Sequence, residues 1–102
     1  MKLLDRIKEL IDEEKVIFTT KAGIEMERDG LLPWMVYEAI GNAVAINKRL
    51  RSTDPDTGLK EYLYVIVSST YSGTLIYTKG KIKKRNNEDT FYILISSKSF
   101  VA

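Results

Sequence analysis

The chain has 102 residues, 44% hydrophobic and 29% charged, and a formal net charge of +2. That length suits one modest core, and that composition excludes a disordered segment. With no cysteine and no histidine, disulfides are excluded, and the usual general base and commonest metal ligand are both missing.

No apolar run approaches the roughly 20 residues that span a bilayer. Asp5 and Glu9 interrupt the apolar pattern of the N-terminal segment, which therefore does not read as a secretory signal. A cytoplasmic protein is the expectation. The small net charge hides an asymmetry. Residues 1–47 carry six Lys/Arg and nine Asp/Glu, whereas residues 48–102 carry ten and five. The halves are thus −3 and +5, and a polyanion would dock on the second.

Leu3, Leu4, Ile7, Leu10 and Ile11 recur at helical spacing and predict an amphipathic first helix. "KVIFTT" (15–20) is β-branched and aromatic and predicts a short strand. Thr20 is a candidate cap for a second helix, which stops at Asp29-Gly30. Pro33 suits the first turn of a third helix over 33–43, with Val36, Ile40 and Ala43 as its buried stripe. The period then changes to two. Strands are predicted over 44–50, 60–69, 74–84 and 90–98, with a polar loop at 52–58 and turns at "YSG" and "RNNED". The expectation is a single α+β domain over 1–102, in the order α-β-α-α-β-β-β-β, with helices on one face of an antiparallel sheet.

Alternation sorts the sheet residues into faces. Leu75, Tyr77, Lys79, Lys81 and Lys83 share one face of their strand. In the last strand Tyr92, Leu94, Ser96 and Lys98 share a face. The basic run of "TLIYTKGKIKKR" is therefore expected on an open face beside Tyr77, Tyr92 and Lys98, with Gly80 as a candidate bulge. Interleaved Tyr and Lys suit a single-stranded nucleic acid, because rings stack bases and ammonium groups neutralise phosphates. The plain alternative is a solvated strand whose lysines protect an edge. "NKRLR" (47–51) adds a second basic cluster.

The order "IFTTKAGIEMERDGL…VYEAIGNA…NKRLRS…EYLYVIV…IYTKGKI…YILISSK" resembles, over nearly the whole chain, small bacterial toxins of the RelE-like superfamily, near the MqsR and BrnT families. Lys21 stands where relatives often have histidine in Thr-His-Ala, so no role is carried over from that histidine. The resemblance implies a RelE-like fold and an endoribonuclease that cuts messenger RNA without a metal or other cofactor. It also implies an antitoxin partner, in MqsR-type systems a zinc-finger protein usually bearing a helix-turn-helix domain.

Such cleavage is attack of a ribose 2′-hydroxyl on the adjacent phosphorus. It needs a base, cations for the phosphorane and an acid for the leaving 5′-oxygen. Candidate catalytic residues are Arg51, Tyr77, Lys79 and Lys98; by resemblance, Lys98 matches the C-terminal strand lysine of MqsR-like toxins and Tyr77 the tyrosine of the penultimate strand. Candidate RNA-binding residues are Lys48, Tyr64, Lys81 and Lys83. Glu61 reads as a salt-bridge partner first and an orienting carboxylate second, and Tyr62 as a stacking ring or rim packing. Ser96 and Ser97 beside Lys98 lack any other hydrolase signature. A binding module for RNA or protein, without catalysis, is the competing reading.

Overall fold

The computed structural model describes residues 2–85 and 88–101. The tip of the turn expected at "RNNED", residues 86 and 87, lies outside them. The elements are α1 (Leu3–Asp12), β1 (Val16–Phe18), α2 (Thr20–Asp29), α3 (Pro33–Gly41), β2 (Lys48–Thr53), β3 (Lys60–Ser69), β4 (Leu75–Arg85) and β5 (Glu88–Ser99). The α+β class stands. The strands form one sheet in the order β1-β5-β4-β3-β2. Strands β2 to β5 are an antiparallel meander, but β1 runs parallel to β5, so the sheet is mixed and not purely antiparallel. No hairpin joins β1 to β5, so turn geometry does not impose an antiparallel pairing on them.

Helix α1 buries Ile7, Leu10 and Ile11. It ends with Lys15 N–H donating to the Leu10 carbonyl (2.8 Å) and Glu14 N–H to that of Ile11 (3.0 Å), with Glu14 at φ 61°. This is a Schellman ending with glutamate where glycine is usual. Helix α2 is capped by Thr19, one residue before the expected Thr20. The Thr19 N–H is spent on the Leu94 carbonyl (3.0 Å), which keeps Thr19 extended, while its Oγ1 accepts from Ala22 N–H (3.2 Å). Helix α3 starts at Pro33 and buries Val36, Ala39 and Ile40. The strand expected over 44–50 begins only at Lys48, because Lys8 Nζ anchors the preceding loop at the Ala43 carbonyl (2.7 Å) and Asn47 Oδ1 accepts from Val67 N–H (2.8 Å). It then continues to Thr53, into the expected loop.

The core joins these helices to Tyr64, Ile66, Ile76, Tyr92 and Leu94 on one face of the sheet. Among the described residues, the helices pack on this face. Between β4 and β5 the pairing Lys79↔Ser96 is followed by Gly80↔Leu94, so Ile95 is an extra residue. The bulge lies on β5, not on β4. Lys79, Lys81 and Lys83 are therefore not flipped, but Tyr92 and Leu94 are separated from Lys98. Tyr92 faces the helices, fully buried, and not the open face where alternation placed it. A Cβ on Gly80 would lie 2.5 Å from the Tyr92 ring. Gly80 is thus the floor on which that ring rests.

Candidate nucleic-acid interface

The register builds two rows across the open face. One is Lys48–Val65–Lys79–Ser96 and the next is Val67–Tyr77–Lys98. Strand spacing puts the Lys48 and Lys79 backbones about 10 Å apart. Lys79 and Lys98 are diagonal neighbours, roughly 7–8 Å apart. Lys98 Nζ lies 5.3 Å from the centre of the Tyr77 ring, and Phe100 stacks on the same tyrosine at 6.4 Å. Three of the four candidate catalytic residues, Tyr77, Lys79 and Lys98, thus share the face opposite the helical core, with Lys48 in line toward the β2 edge.

Two features aim Lys98 there. The first is the extra residue at Ile95. The second is helix α2, which lies along β5 where β1 has ended. Glu25 Oε1 accepts from Ser97 N–H (3.1 Å) and from Ser96 Oγ (2.8 Å), and Asp29 Oδ2 accepts from Ser99 N–H (2.9 Å). One helical turn apart, the two carboxylates take the place of a missing neighbour strand and hold the backbone on both sides of Lys98. Burial pushes the Glu25 carboxyl up, but hydrogen bonds from Ser96 and Ser97 and the charge of Lys21 (3.5 Å) outweigh it and leave it below the usual carboxylate range. Bonds from Arg28 and Ser99 lower Asp29. Sequence reasoning missed both carboxylates. Their signal was the four-residue spacing on a helix already predicted.

Other candidates are placed elsewhere. Arg51 does not join Lys79 and Lys98. It pairs with Tyr62 in the ladder and points to the helix side of the sheet, because alternation gives Lys48, Leu50 and Ser52 one face of β2 and Arg49 and Arg51 the other. Tyr64 is 8% exposed and belongs to the core, so it is not a free stacking platform. Lys81 is on the open face but not available: its Nζ is 3.0 Å from Glu61 Oε1 and 3.7 Å from Asp54 Oδ2. Glu61 is accordingly a salt-bridge partner. Asp54 closes the β2–β3 loop, accepting from Asp56 N–H at 2.8 Å. That bond, working against partial burial and helped by the charges of Lys81 and Lys83, lowers its pKa. Lys83 is exposed beside this acidic pair. Ser96 donates to Glu25 and Ser97 is buried, so neither forms a dyad with Lys98.

The chain matches no protein-family model, no curated protein and no solved structure. Among the described residues no helix is long and apolar enough to cross a membrane.

Proposed function

We propose that the protein is a metal-independent endoribonuclease of the RelE-like, MqsR-type toxin class, acting on single-stranded RNA laid across the open sheet face. The observation that carries the proposal is the meeting of Tyr77, Lys79 and Lys98 on that face, with Lys98 over the Tyr77 ring at 5.3 Å. Cations and a phenol at that spacing supply what transesterification needs. One of the two amines, in its neutral form, takes the 2′-hydroxyl proton. The 2′-oxygen attacks phosphorus while the remaining ammonium stabilises the phosphorane. Tyr77 donates a proton to the departing 5′-oxygen. The products are a 2′,3′-cyclic phosphate and a 5′-hydroxyl. Arg51, on the opposite face, has no place in this step.

An antitoxin of the zinc-finger type is the partner proposed, pairing with the β2 edge. The C-terminal strand offers no such edge, since it lies between β1 and β4 and α2 covers its last N–H groups. A cytoplasmic location belongs to the same proposal.

A non-catalytic RNA-binding module is the second reading. It is favoured by the pairing of Lys81 with Glu61 and Asp54, which leaves fewer cations to converge on one phosphate. Incubation of pure protein with end-labelled RNA in chelator separates the two. Fragments ending in cyclic phosphate support the nuclease, and binding without cleavage supports the module.

A further inference from the structure

Strand β2 is one of the two edges of the sheet, β1 being the other, and it carries cations on both of its faces. Lys48 belongs to the open-face row. Arg49 and Arg51 project to the other side, opposite Tyr64 and Tyr62 in the ladder. Both guanidiniums lie against one tyrosine: Arg49 is 5.0 Å and Arg51 5.5 Å from the centre of the Tyr62 ring, and Arg49 is 5.9 Å from that of Tyr64. Tyr62 is 42% exposed, so this stack is on the surface.

The other arginines with described side chains are used internally, Arg6 by Glu9 at 2.8 Å and Arg28 by Asp29 at 3.0 Å. Arg49 and Arg51 have no carboxylate partner among the described residues. Alongside runs a groove of about 430 Å³, walled by Leu3, Lys60, Tyr62 and Lys84. The one carboxylate on its rim, Glu61, is engaged by Lys81. A guanidinium stacked on a ring keeps its edge N–H groups free, and that fork matches two phosphate oxygens. Two such forks, two residues apart on a strand, suit successive negative charges on a flexible polyanion.

We propose that Arg49 and Arg51, steadied by Tyr62, form an exosite for the phosphates of single-stranded RNA that has crossed the β2 edge from the open face. The inference rests on the RNA reading above and extends it. The row Lys98/Tyr77, Lys79, Lys48 leads toward that edge, and the exosite begins at the next residue on its far side. A strand long enough to turn the edge gains contacts that a trinucleotide held at Tyr77 does not reach. The protein therefore favours long RNA over short.

The test is affinity for a 15-nucleotide and a 3-nucleotide single-stranded RNA at several salt concentrations. It compares the wild type, R49A/R51A, R49K/R51K and K79A/K98A, with folding checked by thermal melting. In R49A/R51A the preference for the longer RNA should fall at least tenfold. Its log–log salt slope on that RNA should become shallower by about 1.4, two phosphate contacts at about 0.7 each. R49K/R51K, which keeps the charge but not the fork, should keep the slope and lose part of the preference.

An unchanged length preference in folded R49A/R51A overturns the exosite, and self-association of that variant with unchanged RNA affinity assigns the arginines to edge protection instead. Loss of binding to a poly-glutamate peptide but not to RNA overturns it in favour of an acidic protein segment. If R49A/R51A weakens RNA binding while K79A/K98A does not, the open-face reading fails and the exosite stands. Absence of RNA binding by the wild type at low salt removes both.

Discussion

Lys79 and Lys81 are two residues apart, on one strand and one face, yet they are chemically different lysines. The Lys79 side chain has no ion pair or hydrogen bond among the described residues and stands beside Tyr77 and Lys98. Lys81 is held by Glu61 on β3 and by Asp54 from the β2–β3 loop, with only 15% of its side chain exposed. Charge counted along a strand is thus not charge available to a ligand. The loop that folds back onto the sheet decides which cations remain: it holds Lys81 as a structural lysine and leaves Lys79 free.

The largest expected effect separates the free lysines from the paired one by function. Lys98→Ala or Lys79→Ala should lower RNA cleavage at least a hundredfold with little change in stability, since both lysines are only half-buried and surface substitutions usually cost within ~0.5 kcal/mol. Lys81→Met should do the reverse. It leaves two partly buried carboxylates without their cation, a loss of about 1–3 kcal/mol, readable by urea unfolding. A Lys81 variant with full stability and no cleavage would erase the distinction.

Next comes the floor beneath the run. Gly80→Ala forces a methyl group into the Tyr92 ring, an overpacking penalty of about 1–3 kcal/mol. Trimming the ring in Gly80→Ala/Tyr92→Leu should recover part of it. A neutral Gly80→Ala would show that the ring moves freely.

Acidification acts on the carboxylates that divide the charges. Glu25, Asp29 and Asp54 all have pKa values lowered by folding. Their stabilisation is complete above the unfolded values near pH 4 and is lost as pH falls through the lower folded values. Glu25→Gln should flatten the stability–pH curve below about pH 4. Asp54→Asn should also loosen Lys81, steepening the salt dependence of RNA binding by up to about 0.7 in log–log slope. An unaltered slope would mean that Glu61 alone holds Lys81.

The smallest effect is a control far from the site. Glu14→Gly removes a left-handed glutamate from the end of α1 and should stabilise the fold by about 0.5–1 kcal/mol, without touching RNA binding.

These contrasts also show which features were legible in the sequence. The helices and the meander were, because apolar periodicity and turn residues are local signals. Tyr77, Lys79 and Lys98 are assigned to the site through alternation and resemblance and Lys48 through the basic cluster at 47–51, and the register brings all four to one face. The partition of the remaining residues was not legible. Ile95 looks like any strand residue, so nothing local announces the bulge that sends Tyr92 inward and Lys98 outward. Arg51 and Lys48 fall in one basic cluster of the sequence, although three positions along a strand put them on opposite faces. The neutralisation of Lys81 depends on Asp54, which reads as turn chemistry and acquires its second role only when the loop folds over. Glu25 and Asp29 read as a solvated helix face until α2 is seen beside the edge of β5.

The central claim is that Lys79, the free lysine of the run, acts with Lys98 over Tyr77 to cleave RNA. The most direct measurement is the rate at which pure protein cuts an end-labelled single-stranded RNA in excess chelator, with the wild type, Lys98→Ala and Lys81→Met side by side. The account predicts cyclic-phosphate products from the wild type and from folded Lys81→Met, and at least a hundredfold less from Lys98→Ala. Equal rates from the wild type and Lys98→Ala, or no cleavage by a wild type that binds the RNA, would contradict it.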